Sequence, residues 1–164
     1  MCIFAVLNKI SMNENNTLLS KDFIEVERKC TELLPFIDYL NQLEGAKMRV
    51  KNLHWSAANL SNHKLLDKLH KDLCEHQDKI AEGAMGVHEQ LPYDALVGSR
   101  SSAITATQLL CEVKEQVMNF YNVLGGLVCY MGIRSELESF ILTLDKYKYL
   151  FNLSIGNFGL YNKI

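Results

Sequence analysis

Apolar side chains recur at three- and four-residue spacings along almost the whole chain, and only two prolines and nine glycines interrupt 164 residues. That period matches the turn of an α-helix and strand-like alternation is absent, so the expected fold class is all-α. With 48% hydrophobic and 22% charged residues, the chain suits one globular domain with a sizeable core. Seventeen Lys and Arg against nineteen Asp and Glu leave a net charge of -2, which excludes a strongly basic nucleic-acid binder. No apolar run is suited to spanning a membrane. Residues 1–7 lack a basic flank and are too short for a secretion signal, so a cytoplasmic location is expected. Cys2, Cys30, Cys74, Cys111 and Cys129 form no CxxC pair and are expected to be reduced and mostly buried.

Punctuation divides the chain. Residues 1–19, where Asn13, Asn15 and Asn16 cluster, are expected to form an N-terminal tail. A first helical segment opens at Ser20 and runs into Pro35, which must kink or restart it. Helix is then predicted over 36–56, with Phe36, Leu40, Leu43 and Val50 on one face and Gly45 as a tolerated weak spot. A turn at 59–62 precedes a second long helix over 63–86. The connection from there to Ser101 is long and is expected to hold one short helix over 93–97. A third helix is predicted over 105–123. The fourth is announced by Ser135-Glu136-Leu137-Glu138, which reads as a capping box, and carries Leu137, Phe140, Ile141, Leu144, Tyr147 and Phe151. Four long helices with one long connection predict a four-helix bundle over 20–153, followed by a C-terminal tail over 154–164.

The chemistry concentrates on the second helix. His63 and Asp67, and again Asp78 and Glu82, are i, i+4 pairs, the spacing that lets two side chains reach one ion. Turning 100° per residue from His63 at 0° puts Asp67 at about 40°, Asp78 at about 60° and Glu82 at about 100°. Leu66, Leu69, Leu73, Ile80, Ala84 and Val87 fall at about 240° to 300°, so the polar stripe points away from the core. A solvated polar face is the bland account of such a stripe. Against it, two carboxylate pairs with histidines suit a hard-to-borderline cation such as iron (Fe). The two pairs are separated by about 16 Å of helix axis and cannot share an ion within one chain. To cooperate they need a second copy running antiparallel across a two-fold axis.

The run Lys51-Asn52-Leu53-His54-Trp55, then His63-x3-Asp67-x10-Asp78-x3-Glu82, resembles the mini-ferritin family of DNA-binding proteins from starved cells (Dps). The resemblance spans about 36–153 and extends to Leu144-Asp145-Lys146-Tyr147 in the last helix. It implies a ferritin-like bundle, with His54, His63, Asp67, Asp78 and Glu82 as the ligands of an intersubunit ferroxidase site. Trp55 is implied to sit beside the iron and intercept oxidising radicals. It also implies a shell of twelve subunits that oxidises Fe(II) with hydrogen peroxide or dioxygen, protects against peroxide and stores the ferric mineral. The turn between His54 and His63 is shorter than usual in the family, and Gly83 stands where an Arg is usual. These departures open an alternative, second to the ferroxidase reading: a shell or interaction protein of the same fold that has lost efficient oxidation. DNA binding is not expected, because residues 1–20 contain only Lys9 as a basic residue and the shell would be net acidic.

Of the remaining residues, His70 and Cys74 lie on the stripe at about 340° and 20° and are expected to line the subunit interface. His76, at about 220°, reads as a partly buried structural histidine, and His88 as a loop residue. A metal site inside the bundle is disfavoured because no E-x-x-H motif occurs.

Overall fold

The computed structural model describes residues 33–88, 90–92 and 95–154. The tail over 1–19, the segment from Ser20 to Glu32 and the last ten residues lie outside that set. Four long helices form: α1 (Leu34–Trp55), α2 (Leu60–Val87), α3 (Ala106–Leu124) and α4 (Met131–Ser154). No strand occurs among the described residues. None of the described helices is long and apolar enough to cross a membrane.

Local chemistry sets most boundaries. Pro35 sits in the first turn of α1, where its missing N–H costs nothing and its fixed φ favours the helix. Ser56 closes α1 by donating its hydroxyl to the carbonyls of Asn52 and Leu53, each at 3.1 Å. Asn59 starts α2, its side chain accepting from the Asn62 N–H at 2.8 Å. The turn therefore lies before Asn59, and α2 begins three residues earlier than the apolar pattern alone indicates. Thr105 and Gln108 form a reciprocal capping box for α3. At its far end Gly125 has a φ of 58°, which glycine adopts without steric cost. Ser135-Glu136-Leu137-Glu138 is not a cap: a 3-10 turn, Val128–Tyr130, leads directly into α4 at Met131, so the four residues lie inside the helix. Of the short helix expected over 93–97, residues 93 and 94 lie outside the described set and 95–97 are not helical; the amide of Ala95 bonds to the Pro92 carbonyl at 3.1 Å.

The chain crosses the bundle five times. Phe36 of α1, His88 after α2, Phe120 of α3 and Tyr130 before α4 meet at one end, with Phe36 within 5.5 Å, ring centre to ring centre, of the other three. Leu53, Asn62, Leu66, Ala106 and Phe151 line one groove at the other. The path is thus α1 out, α2 back, a long crossover out again, α3 back and α4 out. α2 and α3 are parallel, and α1 packs between them, touching both, as does α4.

The crossover is pinned onto α1. Asn41 donates its amide to the carbonyls of Ile37 and Ala95, each at 2.9 Å, and accepts from the Val97 and Gly98 amides at 2.7 and 2.8 Å. One turn along, the carbonyl of Ser99 lies 2.1 Å from where a Cβ at Gly45 would stand. Gly45 is therefore no weak spot but the place where two backbones meet. Farther along, Arg49 donates to the Ser101 carbonyl at 2.7 Å.

The core holds the expected apolar faces except Val87 and Ile141, which are half-buried. Phe36, Leu40, Leu43 and Val50 of α1, Leu66, Leu69, Leu73, Ile80 and Ala84 of α2, and Leu137, Phe140, Leu144, Tyr147 and Phe151 of α4 are all buried. The cysteines depart from expectation. Cys74 is half-buried and Cys111 exposed, both free, whereas Cys129 is disulfide-bonded; pairing depends on how the fold places two Cβ atoms, which spacing does not reveal.

Helix propensity alone favours Gly45→Ala by about 1 kcal/mol. The clash with Ser99 reverses that sign, and the variant should lose about 1–3 kcal/mol of stability in urea denaturation. An unchanged or raised midpoint would mean that the crossover does not lie on α1 in this way.

Candidate functional site

α2 turns three faces to three surroundings. Toward α4 lie Asp72, whose carboxylate accepts from Tyr147 at 2.7 Å, and Gly83, where a Cβ would stand 2.9 Å from Ile133. Toward α1 lie Gln77, His70 and His63. Outward, on the edge next to α1, are Asp67, Asp78 and Glu82, all exposed like His63. The 100° arithmetic thus holds over the length of the stripe. It also places Gly83 off the stripe, so the missing Arg takes nothing from the carboxylate face, and a side chain there would press on α4.

His54 and His63 are brought together despite the short turn. Their rings stack with centroids 3.7 Å apart and planes 30° from parallel. The Nδ1 of His63 lies 3.2 Å from the backbone carbonyl of His54. A carbonyl only accepts, so Nδ1 is the donor, and in a neutral ring of this tautomer Nε2 is the atom that can bind a cation. Asp67 follows one turn along the same edge. Trp55, next to His54, is 73% exposed.

The carboxylates are uncommitted. Among the described residues Asp67, Asp78 and Glu82 take part in no ion pair, and Lys71 pairs instead with Glu75 at 3.6 Å. Between the two acidic pairs, His70 and Cys74 sit half-buried with Sγ 3.9 Å from Nδ1. Burial pulls the His70 imidazole below its ordinary pKa, helped by the charges of Lys51 and Lys47 and opposed by Asp67 and Glu44. Lys47 itself bridges α1 and α2, donating to Gln77 at 2.6 Å and pairing with Glu44 at 2.6 Å. Burial raises the Glu44 carboxyl, but the bonds from Lys47 and Gln77 outweigh it and hold the group below the usual range.

Sequence reasoning placed His76 near the core but missed its network. It is 1% exposed, with Phe140 stacked on its ring at 3.7 Å. Nδ1 lies 3.2 Å from a carboxylate oxygen of Glu136, which accepts, so Nε2 accepts from the Tyr39 hydroxyl at 2.9 Å. Lys79 closes the chain on Glu136 at 3.2 Å. Burial pushes the His76 pKa down to about 4, against the pull of Glu136 and with the help of Lys79. His88 caps α2 and lies 3.2 Å from the Tyr130 hydroxyl.

Among the described residues no group of three or more His, Cys, Asp or Glu comes together in one chain to hold a metal ion. The stripe offers pairs: His63 with Asp67, His70 with Cys74, Asp78 with Glu82. No protein-family model, curated protein or solved structure matches the chain.

The buried histidine sets a pH dependence. Its folded pKa of about 4 lies below the ordinary 6.5, so between those values the unfolded chain binds a proton that the folded chain does not. Stability should fall as pH drops through that window, by up to about 3 kcal/mol, and this contribution should level off below it. His76→Gln, which keeps a donor for Glu136 and an acceptor for Tyr39, should lose that part of the slope in denaturation series. Identical slopes in the two proteins would reject the assignment.

Proposed function

We propose that the chain is a ferritin-like protein of the Dps kind, which binds Fe(II) at sites shared between two subunits, oxidises it and stores the ferric product in a closed cytoplasmic shell of twelve copies. One observation carries the reading: on a single exposed edge of α2, a histidine whose Nδ1 is held by a backbone carbonyl and an aspartate stand one turn apart, and two carboxylates with no ion pair among the described residues stand one turn apart farther on. The bundle supports it, since one long crossover with parallel second and third helices is the ferritin-like connectivity.

In this reading Fe(II) is the substrate. Asp78 and Glu82 of one chain and His63 and Asp67 of another surround it, and His54, stacked on His63, adds a second imidazole. Hard carboxylates bind Fe(III) better than Fe(II), so the ligand set favours the oxidised product. The electrons pass to hydrogen peroxide or dioxygen. Trp55, exposed beside His54, is placed to be oxidised in preference to the backbone. DNA is not a partner in this reading, since phosphate binding needs clustered Lys and Arg.

The test uses two variants, Asp67→Ala and Glu82→Ala, each expected to lose most Fe(II) oxidation. Mixed into hybrid assemblies, a pair with one chain of each kind holds one doubly damaged site and one intact site, so part of the activity returns. No recovery in verified hybrids would rule out shared sites and leave a shell or interaction protein without efficient oxidation.

A further inference from the structure

The antiparallel pairing of α2 with α2 has a centre, and that centre is occupied. Matching His63 with Glu82 and Asp67 with Asp78 across a two-fold axis puts the axis level between Asp72 and Leu73. His70 and Cys74 flank this level on one edge of the stripe, while Lys71 and Glu75, bonded to each other, occupy the opposite edge at about 80° and 120°. A two-fold axis perpendicular to the plane of the two helices preserves the edge. The His70/Cys74 pairs of both copies therefore meet each other and not the Lys71/Glu75 pairs.

The heights agree. Cys74 lies about 2 Å from the axis level along the helix, so the two Cys74 residues differ in height by about 4.5 Å. Each His70 lies about 4 Å from that level, on the side where the other copy's Cys74 stands. At the interaxial distance of about 8–10 Å usual for packed helices, all four side chains reach a common point. We propose that two copies of the chain form a four-ligand Cys2His2 site on the two-fold axis, from His70 and Cys74 of each, which binds Zn2+ or a similar borderline-soft divalent ion as a structural clasp. The proposal rests on the antiparallel pairing of the preceding section.

Three features of one chain favour it. Sγ and Nδ1 already converge to 3.9 Å. Both side chains are half-buried, so little further desolvation precedes binding. Charges of both signs surround His70, Lys51 and Lys47 against Asp67 and Glu44, so the pair does not sit in a purely acidic field. Sulfur and imidazole in equal number select a tetrahedral ion such as zinc, whereas the carboxylate-rich ends of the same stripe suit iron. Binding deprotonates both Cys74 thiols and releases the two protons to solvent.

Co2+ added to the full-length, metal-free protein with the Cys129 disulfide intact is the probe, because thiolate ligation gives charge-transfer absorption and tetrahedral geometry gives intense visible bands. The expected result, read in the Asp67→Ala/Glu82→Ala variant whose carboxylate sites no longer compete for cobalt, is saturation of the thiolate bands at one ion per two chains, with the bands abolished by adding Cys74→Ser and weakened by adding His70→Ala. Saturation at one ion per chain, or bands that survive Cys74→Ser, would overturn the site. Pairing is read separately by a His63→Cys/Glu82→Cys variant on the Cys74→Ser background, which should form an interchain disulfide under mild oxidation. Cross-linked chains without cobalt–thiolate bands in the parent would overturn the clasp alone; absence of the cross-link would overturn the pairing and the clasp together.

Discussion

The contact between the crossover and α1 decides the rest of the molecule. Asn41 spends its whole side-chain amide on the crossover and its own helix. The Ser99 amide then bonds to the Asn41 carbonyl at 3.0 Å, and Gly45 supplies the gap through which the backbones approach. A segment held there must travel along α1 toward its C-terminal end, so α3 starts beside the start of α2 and runs parallel to it. Had the chain turned back tightly after Val87, α3 would instead run antiparallel to α2. The orientation of half the bundle thus follows from one asparagine and one glycine.

Among the described residues, that topology leaves α2 with an edge that no other helix covers, with the crossover beside it at Asp78. Its core face is filled by Leu66, Leu69, Leu73 and Ile80, and α4 takes the side that carries Asp72 and Gly83. Polar groups between α1 and α2 are satisfied locally by the Lys47, Glu44 and Gln77 cluster. These contacts fix the rotation of α2 about its axis, and the rotation fixes where the carboxylates point. His76 contributes on the other side: its buried ring, hydrogen-bonded to Tyr39 and Glu136 and stacked on Phe140, ties α1, α2 and α4 together.

The helices and the polar stripe were legible in the sequence because both rest on the 3.6-residue period, a local property. What was not legible depends on through-space contacts. Gly45 looked like a helix weak spot because nothing nearby in sequence reveals Ser99. Gly83 looked like a missing charge because its neighbour Ile133 lies on another helix. Ser135 looked like a cap because its pattern satisfies the local rule, yet the 3-10 turn at Val128–Tyr130 had already begun the helix. The stacking of His54 on His63 across a short turn was also hidden, since it depends on the caps at Ser56 and Asn59, which set the angle between α1 and α2.

A stripe of ligand pairs on a straight helix has a consequence that no rearrangement of one chain removes. An α-helix holds residues eleven apart about 16 Å from one another, and the carboxylates it carries stay solvated until another surface covers them. Covering uncompensated carboxylates costs free energy unless a cation arrives with the partner. If copies pair as proposed, association and metal binding on this edge would therefore be thermodynamically linked: each ion bound between two copies would strengthen the contact, and each contact formed would raise the affinity for the next ion. Where the ions at the ends of the stripe are substrate, passing through the site, a resident ion at its centre would keep the copies together while the ends are empty.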